Sequence, residues 1–217
     1  MLPLRQKLAC QIVKVLQGRS AREARTLGHS LTWGSSVLNP RLFITSEMMA
    51  RHLDVRDGAH VLDLGTGSGL QALVAARNAA RVVAVDINPE AVASTRANCE
   101  SNNIRNVQVL EGDLFAPLDP GTRFDLIIFT PPYMEGPIRA DFDHALYDPG
   151  KALLRSFFEE APHFLTPRGY VQMLYSSIAG HREALHVAKQ AGFFHRVVAK
   201  QRSWLETFYV YQLWLTR

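Results

Sequence analysis

The chain has 217 residues, of which 47% are apolar and 20% are charged, and its formal net charge is +4. This balance predicts one folded α/β domain with a buried core and excludes general disorder. No apolar run approaches the roughly 18 residues of a membrane-spanning helix, and no cleavable signal segment is expected. The two cysteines, Cys10 and Cys99, are far apart in the sequence. They indicate neither a disulfide framework nor a metal site, and a cytoplasmic location is expected.

The first 38 residues predict a helical cap and a loop ahead of the main fold. Residues 3–17 and 20–27 have helical patterns, and positions 1–28 carry six basic residues against one acidic residue. This charge indicates either the solvated face of an amphipathic helix or an arm for an acidic partner. The helix is favoured, because an apolar stripe recurs at helical spacing at Leu4, Leu8, Ile12, Val15 and Leu16.

Residues 28–43 are rich in Gly, Ser, Asn and Pro, which predicts a loop. Trp33 in this loop is interpreted as an anchor onto the core, with a substrate contact as the alternative. Thr45 or Ser46 is expected to cap a helix that runs to Leu53. The candidate substrate contacts of the whole chain are Trp33, Phe43, Thr45 and His144.

From residue 59 onward, strand and helix patterns alternate, which is typical of a parallel sheet with crossover helices. Strands are predicted at 60–64, 81–86, 106–111, 124–129, 170–175, 195–202 and 207–216. Helices are predicted at 68–78, from Pro89, at 149–164 and at 178–190. The last two strands are joined by a few residues and are expected to pair antiparallel. The predicted fold class is a Rossmann-like, doubly wound α/β sheet of about seven strands, mostly parallel with an antiparallel last strand. Residues 1–38 form the cap and 39–217 the main domain.

Three glycines after the first strand of this sheet predict a ligand-binding turn. Gly65, Gly67 and Gly69 follow Asp63 at every second position, and a helix is predicted immediately behind them. Glycine permits backbone conformations that are barred to other residues and lets a ligand approach the main chain, while the helix start supplies N–H donors. A dinucleotide fingerprint needs its third glycine at position 70, which is Leu70. A nicotinamide dehydrogenase is therefore disfavoured.

The next two strands lead into acidic residues at the same predicted edge. Asp86 ends its strand, where a carboxylate can accept hydrogen bonds from both hydroxyls of an adenosine ribose. Capping of the following helix, which begins near Asn88, is the alternative. Asp113 follows the third strand and can accept a hydrogen bond from an adenine amino group. Ile87 and Leu114 are expected to pack on the two faces of the adenine ring.

Thr130-Pro131-Pro132-Tyr133 follows directly after the strand at 124–129. The two prolines remove two N–H donors and fix φ twice, which predicts a rigid wall with exposed carbonyl groups. Tyr133 adds a flat face with a hydroxyl. A stiff structural turn is the alternative.

These stretches resemble motifs I to IV of the class I S-adenosylmethionine-dependent methyltransferases that act on amino groups. The fourth motif of that class reads [Asn/Asp/Ser]-Pro-Pro-[Tyr/Phe/Trp]. Over about residues 39–217 the sequence is similar to the HemK-type release-factor glutamine N5-methyltransferases and the small-domain methyltransferase group. It departs from them at Thr130, where Asn is usual, and in an N-terminal segment shorter than the HemK helical domain.

The resemblance implies S-adenosylmethionine as cofactor and S-adenosylhomocysteine as product. The implied cofactor contacts are Asp63, Gly65, Thr66, Gly67, Gly69, Asp86, Ile87, Asn88, Gly112, Asp113, Leu114 and Thr130. The implied catalytic residues are Thr130, Pro131, Pro132 and Tyr133. We expect methyl transfer to the side-chain amide or amine nitrogen of a polypeptide, or to another planar amino group.

Thr130 favours an amine over an amide, because one hydroxyl is a poorer acceptor than the amide oxygen of Asn. Three other functions stay open: an RNA or DNA amino-group methyltransferase, which is not favoured, a small-molecule N- or O-methyltransferase, and a cofactor-binding scaffold for a partner subunit. Neither a metal nor membrane association is expected. The sequence leaves the acceptor and the oligomeric state undetermined.

Overall fold

The chain begins with a helix and a β-hairpin in the computed structural model, which describes residues 4–216. Helix α1 spans Leu4–Arg19, and strands β1 (Glu23–Thr26) and β2 (His29–Thr32) pair antiparallel. The helix expected at residues 20–27 is therefore wrong, and so is part of the loop expected at 28–43. Leu27 and Gly28 have φ values of 50° and 84°, so both central residues of the turn take the positive φ of a tight hairpin.

The apolar stripe of α1 faces solvent instead of the core. Ile12, Val15 and Leu16 are 42%, 54% and 45% exposed, whereas the opposite side of the helix is buried at Gln6, Ala9 and Cys10. The side chains of Leu4 and Leu8, which belong to the same predicted stripe, lie outside the described residues. The helix favoured from this stripe is present, but the described members of the stripe are exposed.

A seven-stranded sheet follows among residues 4–216. Its strands are β3 (His60–Leu64), β4 (Arg81–Asp86), β5 (Val107–Glu111), β6 (Phe124–Phe129), β7 (Leu165–Ser176), β8 (Phe193–Arg202) and β9 (Thr207–Leu215). They lie in the order β5-β4-β3-β6-β7-β9-β8. Every pairing is parallel except those of β9 with β7 and with β8. The predicted fold class is confirmed.

Helices cover both faces of the sheet. They are α2 (Ile44–Arg51), α3 (Leu70–Ala75), α4 (Pro89–Ser101), α5 (Ala152–Glu160) and α6 (His181–Gln190). Successive strand residues point to opposite faces, so Leu62 joins the core under α5 and α6, and Val61 joins the core under α2 and α3. This double burial explains why β3 and β4 are almost continuously apolar. No helix in the described part of the chain is long and apolar enough to span a membrane.

Candidate active site

The carboxyl ends of the parallel strands border a cavity of about 510 Å³. The strand order reverses between β3 and β6, and a crevice at such a switch point is where open α/β sheets bind ligands. The volume falls within the range of about 300–1,000 Å³ that small-molecule sites occupy. The turns after β3, β4, β5 and β6 form one side. Residues 36–38, the start of α2, the start of α5 and the segment after β6 close the cavity.

The cavity brings together most of the residues predicted to contact a cofactor. Those that line it are Gly65, Thr66, Gly67, Asp86, Ile87, Asn88, Gly112, Asp113, Leu114 and Thr130. Pro132 and the candidate substrate contacts Thr45 and His144 line it as well. Six candidates from the sequence do not line it: Asp63, Gly69, Pro131, Tyr133, Trp33 and Phe43.

The glycine turn uses its glycines for two different purposes. Gly65 and Gly67 have φ values of 69° and 57°, and a Cβ at Gly65 would meet nothing within 4 Å. The backbone conformation therefore favours glycine at both positions, and the space beside Gly65 is open. Gly69 also has a positive φ, of 80°, and in addition a Cβ there would lie 2.9 Å from the Thr95 side chain of α4. Gly69 allows α4 to pack closely on the turn.

Asp63 lies behind the turn, where it is 2% exposed. It accepts a hydrogen bond of 2.7 Å from the Thr66 hydroxyl. Burial raises its pKa to about 7, which the hydrogen bond from Thr66 partly offsets. The structure thus places Asp63 as a support for the turn, outside the cavity lining.

Asp86 lines the cavity and is held by two backbone donors. The N–H of Gly67 bonds to one carboxylate oxygen and the N–H of Asn88 to the other, each at 2.9 Å. Because each oxygen accepts one of these bonds, each retains acceptor capacity toward the cavity. Burial raises the pKa of Asp86, and the backbone donors oppose that rise.

The alternative role of Asp86, as the cap of α4, is taken by Asn88, which is the N-cap residue of this helix. The Asn88 side chain accepts a hydrogen bond of 2.9 Å from the N–H of Glu90, and Pro89 occupies the first helical position. The amide nitrogen of Asn88 donates to the Ser36 hydroxyl at 2.9 Å. Asn88 therefore caps α4 and ties the turn to the 36–38 segment.

Residues after β4 and β5 form one end of the cavity. Ile87, which is 43% exposed, and Leu114, which has a φ of 44°, both line it together with Asp113. Gly112 is required by packing, since a Cβ there would lie 2.8 Å from the Pro117 ring. Two apolar side chains and a carboxylate beside a cavity are suited to a flat ring that carries an amino group.

The Thr130–Tyr133 stretch divides between the cavity and the protein interior. The Thr130 hydroxyl is buried with no hydrogen-bond partner among the described residues, and Pro132 lines the cavity beside it. The Tyr133 ring lies 5.7 Å from the Tyr175 ring and packs with Met134 beneath α1. Burial, and then the nearby Glu206 carboxylate, raise the pKa of Tyr133, so its hydroxyl stays protonated.

Helix α1 holds the segments that border the cavity. Lys14 forms a 2.7 Å ion pair with Asp143, in the segment that carries His144. Gln17 donates to the carbonyl of Val37 at 2.6 Å and accepts from the N–H of Asn39 at 3.0 Å. No sequence motif indicates these contacts, so the sequence predicted no role for α1 at the site.

Other cavity residues also lack a sequence signal. Ser36 and Gln71 line the cavity although they belong to no recognised motif. Trp33 is only 5% exposed and packs with Leu31 and Leu70, which agrees with its interpretation as a core anchor.

The fold and the cavity define a Rossmann-like methyltransferase. Residues 39–211 match the family model described as Methyltransferase small domain, so the chain belongs to this family. Among solved structures, it is similar to the Thermus thermophilus 16S rRNA N2 G1207 methyltransferase in complex with AdoMet and guanosine. The TM-score is 0.70 and the identity 23%, over 91% of this chain and 50% of that chain. At this identity the likeness concerns the fold.

Two curated relatives are more similar in sequence. A protein of Methanocaldococcus jannaschii is 32% identical over 188 residues, which are 82% of this chain and 93% of that protein. Its name gives N5-glutamine methylation of protein as an unproven assignment. The release factor glutamine methyltransferase of Vibrio cholerae is 37% identical over 123 residues, 51% of this chain and 43% of that protein. The expected class of enzyme, a methyltransferase of the HemK-like group, is confirmed.

Proposed function

We propose that the cavity binds S-adenosylmethionine and that the chain methylates the side-chain amide nitrogen of a glutamine in a polypeptide. The observation that carries the proposal is the convergence of Asp86, the glycine turn and Thr130 on one cavity. The names of the two curated relatives support glutamine as the acceptor. They favour an amide over the amine that Thr130 alone suggested.

The residues present fit the cofactor. The order β5-β4-β3-β6 sets Asp113, Asp86, the glycine turn and Thr130 along the edge of the sheet in that sequence. Asp86 offers acceptor capacity for ribose hydroxyls, and Ile87 and Leu114 offer apolar surface for the adenine ring. The open space beside Gly65 leaves room for the chain that links ribose to the amino acid.

The bound cofactor supplies an electrophilic methyl group, so the protein's work is to position the acceptor nitrogen and exclude water. Fixed geometry of this kind contributes on the order of 7–11 kcal/mol toward the barrier. An amide nitrogen has a delocalised lone pair and is a weak nucleophile. Thr130, which lines the cavity, would accept a hydrogen bond from an N–H group of the amide and stabilise the positive charge that develops on its nitrogen.

The test is transfer of an isotope-labelled methyl group from S-adenosylmethionine to a purified peptide-chain release factor. Mass spectrometry should locate the label on a glutamine, and replacement of that glutamine by Asn should abolish the labelling. The Asp86→Ala variant should label the unmodified release factor more slowly when S-adenosylmethionine is limiting. Label found only in RNA or in metabolites of a cell extract would overturn the polypeptide assignment. Tight binding of S-adenosylhomocysteine without any transfer would favour a scaffold.

A further inference from the structure

Gln71 is a polar side chain in the cavity wall that lacks a partner. It is the second residue of α3, it is 9% exposed, and it lines the cavity next to the glycine turn. Its side chain makes no hydrogen bond to any residue between 4 and 216. The amide atoms of Gln71 are not among the fully enclosed, unpaired atoms of the described residues, so they are open to the cavity. They are therefore free to bond to a ligand there.

The position of Gln71 indicates which part of a ligand it would meet. Strand order places the turns after β5 and β4 at one side of β3, and Thr130 after β6 at the other. Adjacent strands are about 4.8 Å apart, so the site after β3 lies between the ribose carboxylate of Asp86 and the acceptor slot. In the proposed cofactor, the atoms between the ribose and the transferred methyl group belong to the sulfonium and its amino acid chain.

The chemistry of Gln71 suits an amino acid. A carboxamide has a carbonyl oxygen that accepts a hydrogen bond from an ammonium group, and an NH₂ group that donates to a carboxylate. Asp63, an expected cofactor contact, is turned inward onto Thr66 and does not line the cavity. Gln71, beside the turn, offers both an acceptor and a donor at this part of the cavity.

We propose that Gln71 is a cofactor-binding residue that recognises the α-amino acid end of S-adenosylmethionine. This inference rests on the proposed function, since it requires the same cofactor in the same cavity. Gln71 binds charged groups of the ligand that take no part in methyl transfer. It therefore sets affinity and orientation for the whole cofactor, and it discriminates against analogues that carry adenosine without the amino acid.

The experiment measures two ligands by calorimetry on the full chain. S-adenosylhomocysteine carries the amino acid end, whereas 5′-methylthioadenosine keeps the thioether and the adenosine but lacks that end. The Gln71→Met variant conserves size and removes the amide. It should bind S-adenosylhomocysteine about tenfold to a hundredfold more weakly, the usual scale for hydrogen bonds to charged groups. Its affinity for 5′-methylthioadenosine should equal that of the wild type.

Two control variants separate this role from damage to the fold. Gln201→Met makes the same chemical change at an exposed position of β8 outside the cavity lining, and should change neither affinity. Asp86→Ala should weaken both ligands, because both contain the ribose. Equal weakening of both ligands by Gln71→Met, or no weakening of either, would overturn the inference while leaving the proposed function intact. A wild-type chain that binds neither ligand would instead overturn the proposed function, and this inference with it.

Discussion

The Thr66 hydroxyl donates a 2.7 Å hydrogen bond to the buried carboxylate of Asp63 across the turn that lines the cavity. On the opposite side of the same turn, Asp86 accepts the N–H of Gly67. Two acidic side chains therefore hold one glycine turn, Asp63 from behind and Asp86 from the cavity side. Each hydrogen bond fixes the backbone of the turn. Only Asp86 also lines the cavity, where its oxygens can accept a hydrogen bond from a ligand.

Asp63→Asn is expected to change how the free energy of unfolding depends on pH. Burial raises the pKa of Asp63 to about 7 from a reference value of 3.8, so between these values the folded state retains a proton that the unfolded state has lost. The stability contributed by this proton is present below about pH 4 and is lost as the pH rises to about 7. The Asn variant lacks the titration, so its stability relative to the wild type should increase from pH 5 to pH 8.

Urea unfolding at both pH values measures this difference. The matched control is Asp57→Asn, because Asp57 is exposed and makes no side-chain hydrogen bond to any residue in the described part of the chain. The stability of Asp57→Asn relative to the wild type should not increase from pH 5 to pH 8 as that of Asp63→Asn does. A difference between Asp63→Asn and wild type that stays constant from pH 5 to pH 8 would show that the carboxyl group titrates normally.

Asp86→Ala is expected to weaken the binding of S-adenosylhomocysteine by about 1.5–3 kcal/mol, the scale of lost hydrogen bonds to a charged group. The carboxylate accepts from the N–H groups of Gly67 and Asn88 through different oxygens, which fixes its position in the cavity lining. Calorimetry gives the affinity, and circular dichroism shows whether the fold is retained. Unchanged affinity in a folded variant would remove Asp86 from the ribose site.

The strands around the cavity were predictable because their signals are local. β3, β4 and β6 have the predicted bounds. Each is a short apolar run, as expected for a strand that is buried on both faces. The convergence of their turns then follows from topology, because parallel strands present their carboxyl ends at one edge. Sequence alone could therefore bring together the turns after β3, β4, β5 and β6, which form one side of the cavity.

The hairpin at residues 23–32 was not predictable in this way. Its outer edge bonds to amides of α4, where Asn98 accepts from the N–H of Thr32 at 2.8 Å and Asn102 accepts from the N–H of Ser30 at 3.0 Å. These partners lie 66 and 72 residues away along the chain, so no local sequence pattern indicates them. The inward orientation of Asp63 and the unpaired state of Gln71 are likewise properties of the three-dimensional packing.

Thr130→Val is expected to raise stability and lower activity. The Thr130 hydroxyl is buried without a hydrogen-bond partner among residues 4–216, and valine has nearly the same shape without the polar group. Removal of an unsatisfied buried hydroxyl should stabilise the fold by about 1 kcal/mol. If the hydroxyl accepts a hydrogen bond from the acceptor amide, turnover should fall while S-adenosylhomocysteine affinity is retained.

Thermal unfolding, calorimetry and a methyl-transfer assay separate these effects. Thr130→Ser is the matched control, since it keeps the hydroxyl and loses only a methyl group, and it should retain most of the turnover. Full activity in Thr130→Val would show that the hydroxyl does not touch the acceptor.

Lys14→Met is expected to loosen the segment of residues 139–147. Asp143 accepts hydrogen bonds from the N–H groups of Arg139 and Ala140 at 3.0 and 3.2 Å in addition to its 2.7 Å ion pair with Lys14. The Lys14 side chain is 45% exposed, so solvent screens the pair and its loss should cost about 1 kcal/mol. Amide hydrogen exchange should accelerate in this segment, because the variant loses the ion pair that ties Asp143 to α1 and only the two backbone donors still bind Asp143.

The same pair predicts a pH dependence of opposite sign to that of Asp63. Burial raises the pKa of Asp143, but Lys14 and the backbone donors outweigh it, and the net pKa lies below the reference value of 3.8. The stabilisation is thus present above about pH 4 and is lost as the pH falls through the lowered pKa. The destabilisation by Lys14→Met should therefore be full at pH 7 and shrink below pH 4. Lys189→Met, at an exposed position of α6, serves as the control and should leave the exchange of residues 139–147 unchanged. Equal exchange in both variants would mean that α1 does not hold the border of the cavity through Lys14.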